Sequence, residues 1–316
     1  MSSDVSYTTE DIAKLLQISK LTVYDLIKKG ELPSYRVGKQ MRVDPADLEA
    51  YKKRAKGTQI QDRHGQSEAP IRSAAPSLNN GLRPIVITGQ DLSLDILAKH
   101  LEKSNAGIRP LRSFVGSLDS LISMYRGESD IVSTHLLDGD TGEYNLPYIK
   151  KLLVGSSYMV VNLLIRNAGF YVQKGNPLSI KGWSDLSISG LRISNREKGS
   201  GARVLLDEQL RLHGIKASQL AGYALEQSNH LGVASQVASG LADVGVGIEK
   251  AASIVGNVEF LPLIEERYDL VVLKTESNQT WITSLLHILR SDEFRNELGS
   301  ISGYDLSRMG EILLET

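Results

Sequence analysis

The sequence predicts a multidomain protein. It has a small helical unit with a basic hairpin over residues 1–55 and an α/β unit of strand–turn–helix repeats over residues 84–316, joined by a tether at 56–83. Three observations predict this division. Two capped helix patterns separated by a short break are followed by an alternating basic hairpin. A polar stretch without periodicity comes next. Beyond Pro84, short apolar runs rotate with helices of 3.6-residue period, the pattern of a parallel α/β sheet.

Bulk properties fit two soluble domains. The chain has 316 residues, 41% hydrophobic and 23% charged, with a formal net charge of −1. Charge is unevenly placed: Lys20 to Lys56 holds ten Lys/Arg against five acids, a local +5 that leaves −6 for the rest. A basic patch on a near-neutral chain points to a nucleic-acid-binding module attached to something else. No cysteine is present, which excludes disulfides and thiolate metal sites. The polar N-terminus lacks a signal-peptide apolar segment, and no run of about 18 apolar residues exists. The expected location is intracellular, in the cytoplasm.

In the first unit, Thr8 or Thr9 is the expected cap of a helix whose acids Glu10 and Asp11 suit the positive end of its dipole. Ile12, Leu15 and Leu16 fall on its inward face. Gln17-Ile18 breaks it. Ser19 caps a second helix with Val23, Leu26 and Ile27 inward, ending near Gly30. Such a pair is a helix-turn-helix. Ser34–Val37 and Met41–Val43, turning at Gly38-Lys39-Gln40, read as a wing with Arg36 and Arg42 on an outer face and Lys39 at its tip. Asp44 and Pro45 open a third helix. The candidate DNA contacts are Lys20, Leu21, Thr22 and Tyr24 on the second helix, with Arg36, Lys39 and Arg42 on the wing. Tyr24 fits internal packing equally well.

The string YTTEDIAKLLQISKLTVYDLIKKGELPSYRVGKQMRVDPADLEAYKKR closely resembles the excisionase-like, MerR-type winged helix of bacterial regulators. In that family the second helix and the wing bind DNA. Residues 56–83 then carry Pro, Ser and Gly without periodicity, as a mobile linker does, and His64 within them reads as solvated.

In the second unit, Pro84–Thr88 is a buried-strand run, followed by a helix with Leu94, Leu97, Ala98 and Leu101 on one face. Leu111–Val115 is the expected second strand, Leu118–Arg126 a helix, and Asp130–Thr134 the third strand. A second block starts at Leu191–Ser194 and passes through Gly199-Ser200-Gly201 into a helix over Val204–Leu212. Val233–Ser239 reads as a helix and Ala242–Gly247 as a strand into a turn. Ligands in such sheets sit beyond the C-terminal strand ends, near helix N-termini. Glycines at a helix start expose amides to an anion, to which Arg196 and Arg203 could add charge. A plain strand–helix turn accounts for the glycine pair equally well.

The strings VGSLDSL, DIVSTHLLD, NREKGSGARVLLD, HLGVASQVASGLADVGVGIEKAA and ERYDLVV resemble the substrate-binding-protein-like domain of some bacterial regulators. That domain is related to the type II periplasmic molybdate- and tungstate-binding proteins. The resemblance implies two hinged α/β lobes with an oxyanion in the cleft. It implies a ligand shell of Ser117 and Ser133 to His135, with Ser200, Gly201 and Arg203 from the other lobe and Tyr268 at the hinge. Where the family tends to have Gly-Ser-His-Asp, this chain has Thr88-Gly89-Gln90-Asp91, so the usual serine hydroxyl is missing and Thr88 or Ser93 is the candidate substitute. The family's usual Gln and Thr are also absent from the second block.

Other readings of these residues stand beside that one. Ser117 and Ser200 fit helix caps, His135 fits the core, Arg203 fits an exposed salt bridge, Asp243 fits a turn cap, and Arg166 fits a crossover between lobes. No nucleophile elbow, H-E-x-x-H or P-loop occurs, so no enzyme, cofactor or bound metal cation is expected. The leading expectation is a homodimeric transcription regulator that binds operator DNA and senses a small oxyanion, molybdate or tungstate by resemblance. The alternatives are a different small anion or a molybdenum-cofactor-related metabolite as effector, or a cytosolic anion carrier or cofactor-biosynthesis protein whose N-terminal unit docks to protein.

Overall fold

A computed structural model describes residues 6–16, 18–28, 32–38, 40–55, 82–104 and 106–316, with the backbone alone at Leu21 and residues 53–55. The predicted tether therefore lies outside the described residues apart from Leu82 and Arg83, and so do Gly30 and Lys39. The chain divides into two compact units, Met1–Ala75 and Pro76–Thr316.

The first unit is built from β1 (Tyr7–Thr8), α1 (Thr9–Leu16), α2 (Lys20–Lys28), β2 (Tyr35–Val37), β3 (Gln40–Val43) and α3 (Pro45–Ala55). Thr8 starts α1 with a reciprocal cap: its Oγ1 accepts from the Asp11 amide at 3.2 Å and the Asp11 carboxylate accepts from the Thr8 amide at 3.0 Å. Ser19 Oγ accepts from the Thr22 amide at 3.1 Å and starts α2 as expected. Ile12, Val23, Leu32, Val43 and Leu48 form the core.

Two expectations fail here. Leu15 is 50% exposed, because the eight-residue α1 turns Ile12, with Ala13 and Leu16, onto that core. The wing is also not a simple hairpin: β1 joins it, giving the order β1-β3-β2. Cross-strand partners share a face, and Arg36 is opposite Met41 while Arg42 is opposite Tyr35. Arg36 and Arg42 therefore project from opposite faces of the sheet, not from one outer face.

The second unit has two lobes on one ten-stranded sheet of order β5-β4-β6-β11-β7-β10-β8-β9, with β12 and β13 also on β7. The first lobe runs β4 (Arg83–Thr88), α4 (Ser93–Lys103), β5 (Ile108–Ser113), α5 (Ser117–Tyr125), β6 (Ile131–Thr134) and α6 (Leu146–Leu152). The chain crosses over on β7 (Tyr158–Gln173). It then builds the second lobe from β8 (Ile193–Arg196), α7 (Gly201–Leu212), β9 (Glu226–Gln227), α8 (His230–Ala238), β10 (Val244–Ile248) and α9 (Glu249–Ile254). The return is on β11 (Val258–Leu273), after which α10 (Gln279–Leu289), α11 (Asp292–Gly299), β12 (Tyr304–Asp305) and β13 (Ile312–Glu315) complete the first lobe.

The parallel βα pattern holds within each lobe, where β4 pairs in parallel with β5 and β6, and β8 with β10 and β9. The sheet as a whole is mixed. β7 and β11 are antiparallel partners over nearly their full 16-residue lengths and carry the sheet from one lobe to the other. β11 is irregular between Pro262 and Ile264 and between Tyr268 and Asp269. Beside the first irregularity is Gly169, where a Cβ would lie 2.0 Å from the Leu261 carbonyl oxygen, so only glycine fits the crossing. β5 begins three residues earlier than predicted, with Pro110 inside it. Proline is tolerated there because β5 is an edge strand, with one side free of ladder bonds. Each lobe has its own apolar interior: Ile87, Leu97, Leu164 and Trp281 in the first, and Phe170, Ile193, Leu206 and Val244 in the second.

Candidate functional site

The ends of β4, β5, β6 and β8 and the starts of α5, α7, α8 and α9 surround one cleft of about 190 Å³ between the lobes. Its hydroxyl end is tightly built. Ser117 opens α5 and is 5% exposed; its Oγ accepts the His135 amide at 3.3 Å. Ser200, 3% exposed, caps α7 by accepting the Arg203 amide at 3.3 Å. Each hydroxyl so far only accepts, so each retains a proton to donate. Gly201, at the first position of α7, has an amide that the helix itself leaves unpaired. Gly201 also abuts the His135 ring, where a Cβ would come within 2.4 Å.

Ser133 differs from the other two serines. Its Oγ donates to the Thr88 carbonyl at 3.0 Å and meets the Tyr268 hydroxyl at 2.7 Å, so both of its roles are taken. Gly89, at φ +134°, makes room for it, since a Cβ there would lie 1.9 Å from the Ser133 Oγ.

Beneath the cleft is a buried ion network. Arg166 on β7 pairs with Glu266 on β11 at 2.5 Å and with Asp91 after β4. Asp91 also accepts from the Tyr304 hydroxyl at 2.6 Å and the Ser93 amide at 2.8 Å, and Glu266 meets His135 Nδ1 at 3.1 Å. The Arg166 guanidinium lies 4.6 Å from the Tyr268 ring centre. Burial raises both carboxyls, but Arg166 together with hydrogen bonds from Ser93 and Tyr304 holds Asp91 below the usual carboxylate range, and Arg166 together with His135 holds Glu266 well below it. Burial pushes the Tyr268 hydroxyl up to about 12. Asp91 is the one carboxylate among the described residues that line the cleft, and it shares the Arg166 guanidinium with Glu266.

The lobes touch across the cleft. Gln90 accepts from Arg196 at 2.5 Å and donates to Glu197 at 3.1 Å, while Arg196 pairs with Glu197 at 2.5 Å. The Leu118 amide donates to the Gly199 carbonyl at 2.9 Å. His230, at the start of α8, lines the cleft, and its enclosed Nδ1 has no hydrogen-bond partner among the described residues. Burial, then Arg196 and Arg166, hold its pKa well below 6.5, so the ring is neutral. Burial likewise lowers the Lys250 ammonium, which sits 5.2 Å from the Tyr304 ring centre.

Six predicted residues thus come together: Ser117, Ser133, His135, Ser200, Gly201 and Tyr268 all line the cleft. Three do not. Thr88 is 1% exposed and turns toward the Ile131 carbonyl, and Ser93 is sealed inside the first lobe at 0% exposure. Arg203 lies behind the cleft, paired with Asp207 and Glu226 at 3.1 Å and stacked 4.3 Å from the Tyr223 ring centre. Its reach is spent within its own lobe. Asp243 braces Arg192, accepting its amide at 2.9 Å, and stands away from the cleft as a turn cap would. Gln90, Asp91, His230, Lys250 and Tyr304 were not among the predicted residues. Their lining positions arise from contacts across long sequence separations, which leave no local pattern.

On the helical unit, Thr22 is exposed and Tyr24 is 46% exposed on α2, so Tyr24 does not pack in the core. Lys20 is drawn into a close ion pair with Glu10. Arg36 is exposed, whereas Arg42 is half-buried and donates to the Ser6 carbonyl at 3.2 Å. Leu21's side chain and all of Lys39 lie outside the described residues.

This architecture is a helix-turn-helix domain joined to a two-lobed, periplasmic-binding-protein-like ligand domain. A family model described as the PBP superfamily domain matches residues 98–290, and the chain belongs to that family. A helix-turn-helix domain model matches residues 6–56. The uncharacterized protein YvgK of Bacillus subtilis (strain 168) is 49% identical over 318 residues, covering 100% of both chains. Among solved structures, a histidine kinase sensor domain with similarity to periplasmic binding proteins aligns at TM-score 0.51 and 12% identity, covering 71% of this chain and 98% of its own. An ancestral amino acid-binding protein, a precursor of cyclohexadienyl dehydratase, aligns at TM-score 0.50 and 17% identity, covering 69% and 94%. At these identities the two structures bear on the fold alone. Among the described residues no helix is long and apolar enough to cross a membrane.

Proposed function

We propose that this chain is a cytoplasmic, homodimeric transcription regulator that binds operator DNA through its helix-turn-helix unit and senses, without converting, a small anion in the cleft. The sequence resemblance puts molybdate and tungstate first among oxyanions. One observation carries the reading: two proton-bearing hydroxyls, Ser117 and Ser200, come one from each lobe into a crevice whose only lining carboxylate among the described residues, Asp91, is ion-paired with Arg166. Neutral hydroxyl and amide donors can hold an oxyanion without fixed counter-charge, and a ligand held by both lobes favours their closed arrangement. Coupling to DNA affinity is then a difference in ligand affinity between two states.

Calorimetry on the full chain with molybdate, tungstate, sulfate and phosphate tests the effector. Ser117→Ala and Ser200→Ala are each expected to weaken the best ligand about tenfold, the loss of one hydrogen bond to a charged group. Gel shift against the promoter of its own gene tests the DNA arm. Arg36→Ala should weaken binding and lower the salt slope by about one for a phosphate contact. Failure of all four oxyanions to bind overturns the oxyanion effector. Absence of DNA binding at low salt overturns the regulator and favours a docking role for the N-terminal unit.

A further inference from the structure

The hydroxyl end accounts for only part of the cleft. Ser117, Ser133 and Ser200 are at most 5% exposed, yet three apolar side chains lining the same cleft stay open to solvent: Leu92 at 46%, Leu231 at 42% and Ile254 at 62%. They come from both lobes. Leu92 precedes α4, Leu231 lies in the first turn of α8 and Ile254 ends α9. Isolated exposed apolar residues are ordinary, but several gathered at the rim of one crevice mark a binding surface. A bare tetrahedral oxyanion seated between Ser117 and Ser200 leaves all three against water. The cleft's 190 Å³ compares with the roughly 10–15 Å³ of cavity space that one water needs, which is room for more than such an ion.

We propose that the effector is an organic anion. Its anionic group is held by Ser117, Ser200 and the Gly201 amide, and its apolar body lies against Leu92, Leu231 and Ile254. The proposal rests on the reading that the cleft holds an anion, and it names what that anion is attached to.

The test is calorimetry on the full chain with two series of fixed head group: acetate, butyrate and benzoate, and methyl-, propyl- and phenylphosphonate, with molybdate alongside. In at least one series affinity is expected to rise about three- to fourfold per buried methylene. Leu231→Asn and Ile254→Asn, at exposed positions, should abolish that rise and leave the shortest member within twofold. If molybdate binds while both series are flat, the organic body is overturned and the anion reading survives. A rise that persists in both variants also overturns the proposal, because the apolar part then lies elsewhere. If neither molybdate nor any organic anion binds, the anion reading itself falls and takes this one with it.

Discussion

The helical unit and the two-lobed unit use charge in opposite ways. On the first, Arg36 is solvent-exposed, over a core of five apolar residues. In the second, Arg166 is 5% exposed and locked between Asp91 and Glu266, which are themselves 7% and 1% exposed. Exposed cations leave binding to be decided by what approaches them. Buried ions set the geometry of their surroundings, and each depends on its partners to remain charged. A substitution therefore has different consequences in the two units: loss of affinity in one, loss of the site's architecture in the other.

That contrast can be broken most directly at Arg166. Arg166→Met leaves two buried carboxylates facing each other and should cost about 3–5 kcal/mol, read as a lower urea midpoint for the two-lobed unit. Replacing the whole set with apolar residues should cost far less, because no orphaned charge remains. In the helical unit the comparable risk is a cavity. Ile12→Ala should cost about 2–5 kcal/mol there, measured by thermal unfolding.

The smallest effect sharpens the comparison through pH. The folded pKa of His230 lies well below its unfolded value of about 6.5, so its contribution to stability is whole above that value. It erodes as pH falls toward the depressed folded pKa, because the unfolded chain gains a proton that the folded one refuses. The slope is at most about 1.4 kcal/mol per pH unit for one proton. Urea titrations between pH 6.5 and 5 should show this decline in the parent chain and a flatter profile in His230→Asn. Asp91 and Glu266 act lower down: their contribution is complete above the ordinary carboxylate pKa of about 4 and is lost as pH falls further.

Legibility in the sequence followed the range of the interactions. Thr8 and Ser19 were readable as caps because a cap and its amide lie three residues apart. Ser200 and Gly201 were readable from their place where a strand ends and a helix begins, whereas Ser117, Ser133, His135 and Tyr268 came from the resemblance to the substrate-binding-protein-like domain. The long strands were not. β7 interrupts its apolar run with Arg166-Asn167, and β11 contains Pro262 and the pair Glu265-Glu266, so neither carries a clean period. Arg166 and Glu266 are 100 residues apart, and Tyr304 and Asp91 are 213 apart. A single sequence holds no signal for such pairs. Thr88, Ser93 and Arg203 were misplaced for a related reason. Each has the right chemistry one or two positions from the cleft, and only packing decides which way its side chain turns.

The paired crossing strands have a mechanical consequence. A loop between lobes can swivel about many axes, whereas two 16-residue strands hydrogen-bonded along their length behave as one ribbon. Such a ribbon yields by twisting, or by creasing where β11 is irregular, and neither deformation requires its ladder to be undone. With Gly169 pressed against the neighbouring backbone at one such crease, a single added methyl group would act as a wedge, stiffening or splaying the joint without touching anything the lobes enclose.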